Sequence, residues 1–429
     1  MSAVDSVVIQ PARAVSGTIR LPGDKSISHR YAMLAALASG DTQLRNFSTG
    51  ADCASTLRCL RSLGVQWEQR PDALVIHGIA QLKASSSPLD CGNSGSTMRM
   101  LSGILAGQAF TSELIGDESL SRRPMARVIT PLEMMGAQIE AGKDHRPPLK
   151  IHGTQLKAIN YDMPVASAQV KTSVLFAGLL ADGETRVTEP VRTRDHGEIA
   201  LRAFGAQVDQ QGKAIIIRGG QKLRATEATI PGDLSSAAFF LCSAGILPGS
   251  QLVITDLLLN PTRARLLDVL TSMGLSITIA EIEEHHGELR GSIQVEGRGL
   301  KGGTIAGADT AALIDEIPVL AAIAPYTREG MDIRDARELR VKESDRIAAI
   351  ARNLRAMGAE LAEFEDGLTI PGNQQLRGAE VDSLGDHRIA MAFAIAALGA
   401  EGETTVKGSS AAVISFPEFF NVLAQTAQR

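Results

Sequence analysis

Aromatic residues are scarce, 3% of 429 residues with a single Trp. A platform for stacking the bases of single-stranded nucleic acid needs exposed rings, so that class of binder is excluded. Neither sign of charge dominates: 43 Lys and Arg stand against 48 Asp and Glu, a net charge of −5. The chain therefore carries no broad basic field for a nucleic acid or an anionic membrane. Cys53, Cys59, Cys91 and Cys242 form no C-x-x-C pair, which gives no support for a zinc knuckle. They are too few for a disulfide scaffold and suit a reducing compartment. No apolar run approaches the roughly 18 residues that suggest a membrane-spanning helix. The best, Ala237 to Leu247, is interrupted by Ser and Gly. Met1 to Gln10 lacks a basic stretch followed by an apolar one, so no secretory signal is read and a cytoplasmic α/β protein is expected.

Several chemical signatures are also missing. GDKS at 23–26 resembles the tail of a phosphate loop, but the G-x-x-x-x-G-K-[ST] spacing is absent. No G-x-G-x-x-G opens a strand-to-helix turn, which disfavours a dinucleotide. No H-E-x-x-H occurs, and His285 and His286 sit in the polar segment EEHHGE, where solvation is the expected state. Ser26, Ser28 and His29 lie close together without the G-x-S-x-G elbow of a hydrolase. What remains is transfer chemistry on anionic small molecules, with neither a metal nor an organic cofactor expected.

What the chain has in quantity is glycine, 41 residues, and 44% hydrophobic residues. Its length suits two to three domains at about 150 residues each. The glycines mark internal repeats. A phrase of apolar helix, Gly and alternating strand recurs at Gly64, Gly136, Gly205, Gly274 and Gly358, with spacings of 72, 69, 69 and 84. A second phrase, a small-residue helix, Gly and a strand, recurs at Gly40, Gly107, Gly183, Gly249, Gly330 and Gly402. Interleaved, they imply six copies of one unit, each reading helix, strand, helix, strand, strand. A longer echo sets LPGDKSISHRYAMLAALASG (21–40) against IPGDLSSAAFFLCSAGILPG (230–249), an offset of 209 residues. The expectation is two similar lobes of three units each, with a cleft between them.

The echo separates scaffold from chemistry. Pro, Gly, Asp and Ser persist in both copies and fit a turn followed by a helix N-cap. Lys25 and Arg30 become Leu234 and Phe239 in the second copy, so the fold needs no cation at those places. Counting back from the closing glycines puts Lys25, Asn93, Gln169, Asp315 and Arg388 at equivalent helix starts. Helix N-termini attract anions through free N–H groups and the positive end of the dipole. Ordinary capping groups would give the same pattern. Arg122 and Arg123 precede Pro124 in GDESLSRRP, and RVKESDR brings Lys342, Glu343 and Arg346 together. On a helix, Lys342 and Arg346 would share a face, and a solvated salt-bridge face is the bland alternative. With Lys25, Arg30, Arg123 and Arg388 they make a cationic set suited to two phosphate or carboxylate ligands.

LPGDKSISHR (21–30), GNSGSTMR (92–99), GDESLSRRP (116–124), SAQVK (167–171), IDEIPVLA (314–321), VKESDR (341–346) and GDHRIAMAF (385–393), in that order, resemble the 3-phosphoshikimate 1-carboxyvinyltransferases, or EPSP synthases. RDHGE (194–198) and NPTR (260–263), together with SAQVK, look like the bacterial class II branch. The resemblance covers essentially the whole chain. It implies an inside-out α/β fold of two lobes, each of three βαβαββ units. Residues 1–22 with 233–429 would form one lobe and 23–232 the other, with the active site in the cleft.

The implied reaction joins phosphoenolpyruvate to the 5-hydroxyl of shikimate 3-phosphate and releases phosphate, by addition and then elimination. It belongs to the shikimate pathway of aromatic amino-acid biosynthesis. By the same resemblance Lys25, Ser26, Arg30, Ser167, Ala168, Gln169, Asp315 and Lys342 would hold shikimate 3-phosphate. Lys25, Gly95, Arg123, Gln169, Arg346 and Arg388 would hold phosphoenolpyruvate. Asp315 would be the base, and Glu343, with Lys25, the source of the methylene proton. Arg194 is a further candidate for the shikimate phosphate. The partners expected are these two small molecules alone, with no nucleic acid or membrane, and the chain is expected to act as a monomer.

Two departures matter. SSAAVISFPEFF (409–420) places Val413, Ile414 and Ser415 where many relatives carry a Lys. Family members are the target of glyphosate. The class II signatures imply tolerance, whereas Gly95 stands where tolerant relatives often carry Ala. The related transferase acting on UDP-N-acetylglucosamine is the main alternative, but its reactive Cys has no counterpart in GDESLSRRP. A non-catalytic anion-binding relative is the third reading.

Overall fold

The computed structural model describes residues 5–429. The chain divides into two compact units. One comprises the residues up to Pro22 with Pro231–Glu283 and Leu289–Arg429; the other comprises Gly23–Ile230 with Glu284–Glu288. Re-entry into the first unit falls at Pro231. The hairpin tip Glu284–Glu288 groups with the second unit, a feature that no repeat pattern signalled.

Each unit holds three sheets wrapped around three inner helices. In the second unit these helices are Lys25–Leu37, Gly95–Ala106 and Ala168–Leu180. In the first they are Leu234–Ile246, Ile317–Ile323 and His387–Leu398. Their composition explains the placement. Every residue from Ile27 to Leu37 and from His387 to Leu398 is buried, leaving no polar stripe. A helix apolar all round has to lie inside. The outer helices are amphipathic instead: in Arg265–Ser272, Leu266, Leu267, Val269 and Leu270 face inward while Arg265 and Asp268 are exposed.

One repeat shows the βαβαββ order plainly. Strand Asn160–Asp162, helix Ala168–Leu180, strand Glu184–Thr188, helix His196–Ala203 and the hairpin Val208–Gln211/Ala214–Arg218 follow one another. The first two strands pair in parallel, and the hairpin adds antiparallel strands. Glycines such as Gly136 and Gly274, both at φ 104°, end the outer helices in the left-handed region that favours glycine.

Two repeats depart from a simple tandem copy. The strand before the Lys25 helix, Ala14–Arg20, pairs with Gln251–Leu258 of the first unit. The strand before the Leu234 helix, Glu227–Thr229, pairs with Ser39–Arg45 of the second. Each inner helix at a crossover thus takes its first strand from the other crossover. The last repeat has no closing hairpin of its own, and strand Ser6–Ile9 pairs with Thr404–Lys407 instead. The hairpin phrase accordingly occurs at five glycines and the helix–Gly–strand phrase at six.

Among the described residues, no helix is long and apolar enough to cross a membrane. Packing inside the second unit is close: a Cβ on Gly103 would stand 2.1 Å from the backbone oxygen of Ser173 on the adjacent inner helix. Gly103→Ala is therefore expected to cost about 1–3 kcal/mol through overpacking, read as a fall in the denaturant midpoint. An unchanged midpoint would contradict the contact.

Candidate active site

The inner helices present their polar groups at their beginnings. Asp24 caps the Lys25 helix by accepting from Ile27 N at 2.8 Å. Ser94 does the same for Thr97 N at 3.1 Å, and Asp386 for Arg388 N at 2.9 Å. Ser167 and Asp233 cap the remaining long ones, as the echoed Asp predicts. Only the helix Ile317–Ile323 lacks a side-chain cap, and it has Pro318 in its first turn. A cap aligns the first turn and leaves neighbouring N–H groups facing outward.

In the second unit, side-chain bonds tie the three helix starts together. Lys25 Nζ lies 2.9 Å from Asp52 Oδ2. Arg30, itself buried, donates from Nε and Nη2 to Thr172 Oγ1 at 3.1 and 2.9 Å and from Nη1 to the Ser26 carbonyl at 2.8 Å. Gln169 accepts from Arg99 Nη1 at 2.9 Å and donates to Ser96 Oγ at 2.9 Å. Arg123 donates to Asn93 Oδ1 at 2.7 Å. Gly95 lies among these groups: a Cβ there would meet Arg99 Nη1 at 2.7 Å and Arg123 Nη1 at 3.4 Å. His29 closes a buried relay through Thr56 and Thr97, each step 2.7 Å. Burial, with the nearby charges of Lys25 and Arg30, holds its imidazole well below the ordinary 6.5, so it is neutral at pH 7. Burial also brings Arg30 down to about 10, with Glu198 opposing the shift and Arg194 adding to it. Arg194 is thus near enough to Arg30 for its charge to be felt.

The first unit carries a second cluster. Arg346 is almost completely buried; its Nε lies 2.8 Å from Asp386 Oδ2 and its Nη2 2.6 Å from Glu343 Oε2. Asp315 sits among three cations, with Arg346 and Arg388 at 3.9 Å and Lys342 at 4.0 Å. Arg388 also donates to the Asp315 carbonyl at 2.6 Å. Burial lowers Lys342 below its ordinary 10.5; Asp315 works against the shift and Arg346 with it.

Lys342 and Arg346 do not share a helix face. The helix begins at Arg346, and Lys342 ends a preceding 3-10 turn, Arg337–Val341, because Asp345 caps between them. Asp315 likewise precedes its helix, in the turn before Glu316. Lys25, Ser26, Arg30, Gly95, Arg123, Ser167, Ala168, Gln169 and Arg194 fall in the second unit, and Asp315, Lys342, Glu343, Arg346 and Arg388 in the first. His285 and His286 are exposed, and among the described residues no group of His, Cys, Asp or Glu is placed to hold a metal.

Sequence reasoning passed over Asp52, Arg99, Thr172 and Asp386. Arg99 and Asp386 lie inside quoted motifs, so the signal was present. Asp52 and Thr172 matter only through partners distant in sequence. Arg263, quoted only within NPTR, anchors the start of the Leu234 helix, donating to Ser235 Oγ at 2.6 Å.

Burial alone would raise the Asp386 carboxyl. Arg346 and His387 outweigh burial and Glu343, and hold it below the ordinary 3.8. A lowered folded-state value means a contribution to stability that is complete above the unfolded value of about 3.9 and is lost as the pH falls through the lowered one. Asp386→Asn should cost about 1.5–3 kcal/mol at pH 7, since buried Arg346 loses one of its two close carboxylates and keeps Glu343. Unfolding curves should show the gap to the unmodified protein narrowing at pH 3, and a gap of the same size there would contradict the assignment.

The comparisons agree across the whole chain. The family model for EPSP synthase (3-phosphoshikimate 1-carboxyvinyltransferase) matches residues 9–423. A 3-phosphoshikimate 1-carboxyvinyltransferase of Koribacter versatilis is 58% identical over 426 residues, covering 99% of this chain and 100% of the relative. That of Solibacter usitatus is 56% identical over 422 residues, covering 98% and 99%. Among solved structures, EPSP synthase from Acinetobacter baumannii is similar with a TM-score of 0.87 and 41% identity, covering 99% of this chain and 98% of that one.

Proposed function

We infer the chemistry from one premise: the chain belongs to the EPSP synthase family. It transfers the carboxyvinyl group of phosphoenolpyruvate to the 5-hydroxyl of shikimate 3-phosphate and releases phosphate. The observation that carries this reading is Asp315, a carboxylate within 4.0 Å of Lys342, Arg346 and Arg388. Such an arrangement provides a base beside cations suited to anionic substrates.

Lys25, Ser26, Arg30, Ser167, Ala168, Gln169, Asp315 and Lys342 hold shikimate 3-phosphate, with Arg194 adding charge. Lys25, Gly95, Arg123, Gln169, Arg346 and Arg388 hold phosphoenolpyruvate. Asp315 takes the hydroxyl proton as the oxygen attacks C2 of phosphoenolpyruvate. A proton from Glu343, with Lys25 as a second source, reaches the methylene carbon and makes it a methyl group. In the second step the methyl group returns a proton to Glu343 and the C–O bond to phosphate breaks, the proton held by Asp315 leaving with the phosphate, and the product vinyl group forms. The pairing of Glu343 with Arg346 favours its charged form. Exclusion of water by the bound substrates favours the neutral, proton-carrying form needed for the first step. Positioned donors at the phosphate and carboxylate groups stabilise the charge that builds on them.

Incubation with both substrates should release inorganic phosphate, and replacement of shikimate 3-phosphate by UDP-N-acetylglucosamine should abolish release. Release only with the sugar nucleotide, or with neither acceptor, would overturn the reading. Asp315→Ala should lower kcat by about 10²–10⁴, as for a lost general base, with a smaller rise in the KM for shikimate 3-phosphate and the KM for phosphoenolpyruvate nearly unchanged. A change confined to KM would move the base elsewhere.

A further inference from the structure

We propose that Thr172 is a positioning residue that aims the Arg30 guanidinium at shikimate 3-phosphate, and that Gly197, having no side chain, leaves the Thr172 hydroxyl the room it occupies; this rests on the reading of Arg30 given above. Thr172 is fully buried on the second turn of the helix Ala168–Leu180. Its Oγ1 accepts from both Nε and Nη2 of Arg30, at 3.1 and 2.9 Å. A hydroxyl oxygen has two acceptor sites, and Arg30 takes both. The other acceptors on Arg30, the carbonyls of Ser26 and Ala168, are fixed by their own helices. Among the described residues, the Thr172 hydroxyl is the Arg30 acceptor whose place depends on a side-chain rotamer, and Thr in a helix has two rotamers open to it.

Gly197 leaves room for the observed one. A Cβ at residue 197 would stand 2.7 Å from Thr172 Oγ1 and 3.5 Å from its Cβ, so only the absence of a side chain admits the hydroxyl where it is. The backbone at Gly197 has little freedom to retreat. The residue before it, His196, binds Glu288 through Nδ1 at 2.6 Å. The residue after it, Glu198, pairs with Lys171 Nζ at 2.7 Å, and Lys171, next to Thr172, also pairs with Glu189 at 3.0 Å. All five of these side chains are buried. The segments 196–198 and 171–172 are therefore clamped to each other, with the Gly197–Thr172 contact between the clamps.

Removing the hydroxyl leaves two buried N–H groups of a cation unsatisfied and free to turn. The test measures kcat and both KM values for Thr172→Val, Thr172→Ser, Gly197→Ala and Arg30→Ala. Thr172→Val and Gly197→Ala should each raise the KM for shikimate 3-phosphate about tenfold, the loss typical of a hydrogen bond to a charged group. The KM for phosphoenolpyruvate should stay near the unmodified value, and Thr172→Ser, which keeps the oxygen, should restore the normal KM for shikimate 3-phosphate. Arg30→Ala should raise that KM at least as far. If Arg30→Ala raises it while Thr172→Val and Gly197→Ala do not, the positioning role is wrong. If Thr172→Ser fails to restore it, packing rather than the hydroxyl is responsible. If Arg30→Ala itself changes nothing, the fault lies in the reading of Arg30.

Discussion

A helix buried on every side can offer a charged group to solvent or a ligand only near its end. The six inner helices obey that constraint. Their bodies are nearly continuous apolar surface, and Lys25, Gly95, Gln169, Asp386 and Arg388 sit in or beside their first turns. Packing thus decides where these charged and polar groups are located. Caps such as Asp24, Ser94 and Asp386 satisfy part of each first turn. They leave positive potential to be completed by Lys and Arg.

The charged groups behind these helix starts bring little stability of their own. A buried ion pair often does no better than a well-packed apolar pair, yet losing one partner is costly. Arg346 with Asp386 and Glu343, and Lys171 with Glu189 and Glu198, are best understood as fixing geometry. They hold guanidinium and carboxylate groups in set positions before any substrate arrives, which lowers the reorganisation needed during reaction.

Much of this was legible in the sequence because it is local. Glycines that close helices and the Asp of the two PGD segments announce turns and caps through conformational preference alone. The echo isolated Lys25 and Arg30 because Leu234 and Phe239 replace them in a structurally equivalent helix. Long-range features were harder to read. The exchange of first strands between Ala14–Arg20 and Glu227–Thr229 leaves each local sequence unchanged. Asp52 becomes relevant only when it reaches Lys25, and Thr172 only when it reaches Arg30. The shared face assigned to Lys342 and Arg346 failed because an Asp cap at 345 starts the helix late.

The central claim is that cations and caps at helix beginnings receive the anionic substrates. A crystal structure with shikimate 3-phosphate bound tests it most directly. The account predicts the ligand in contact with Lys25, Arg30, Ser167 and Gln169, with its 5-hydroxyl beside Asp315. A ligand bound away from those residues, with Lys25 still paired to Asp52, would contradict it.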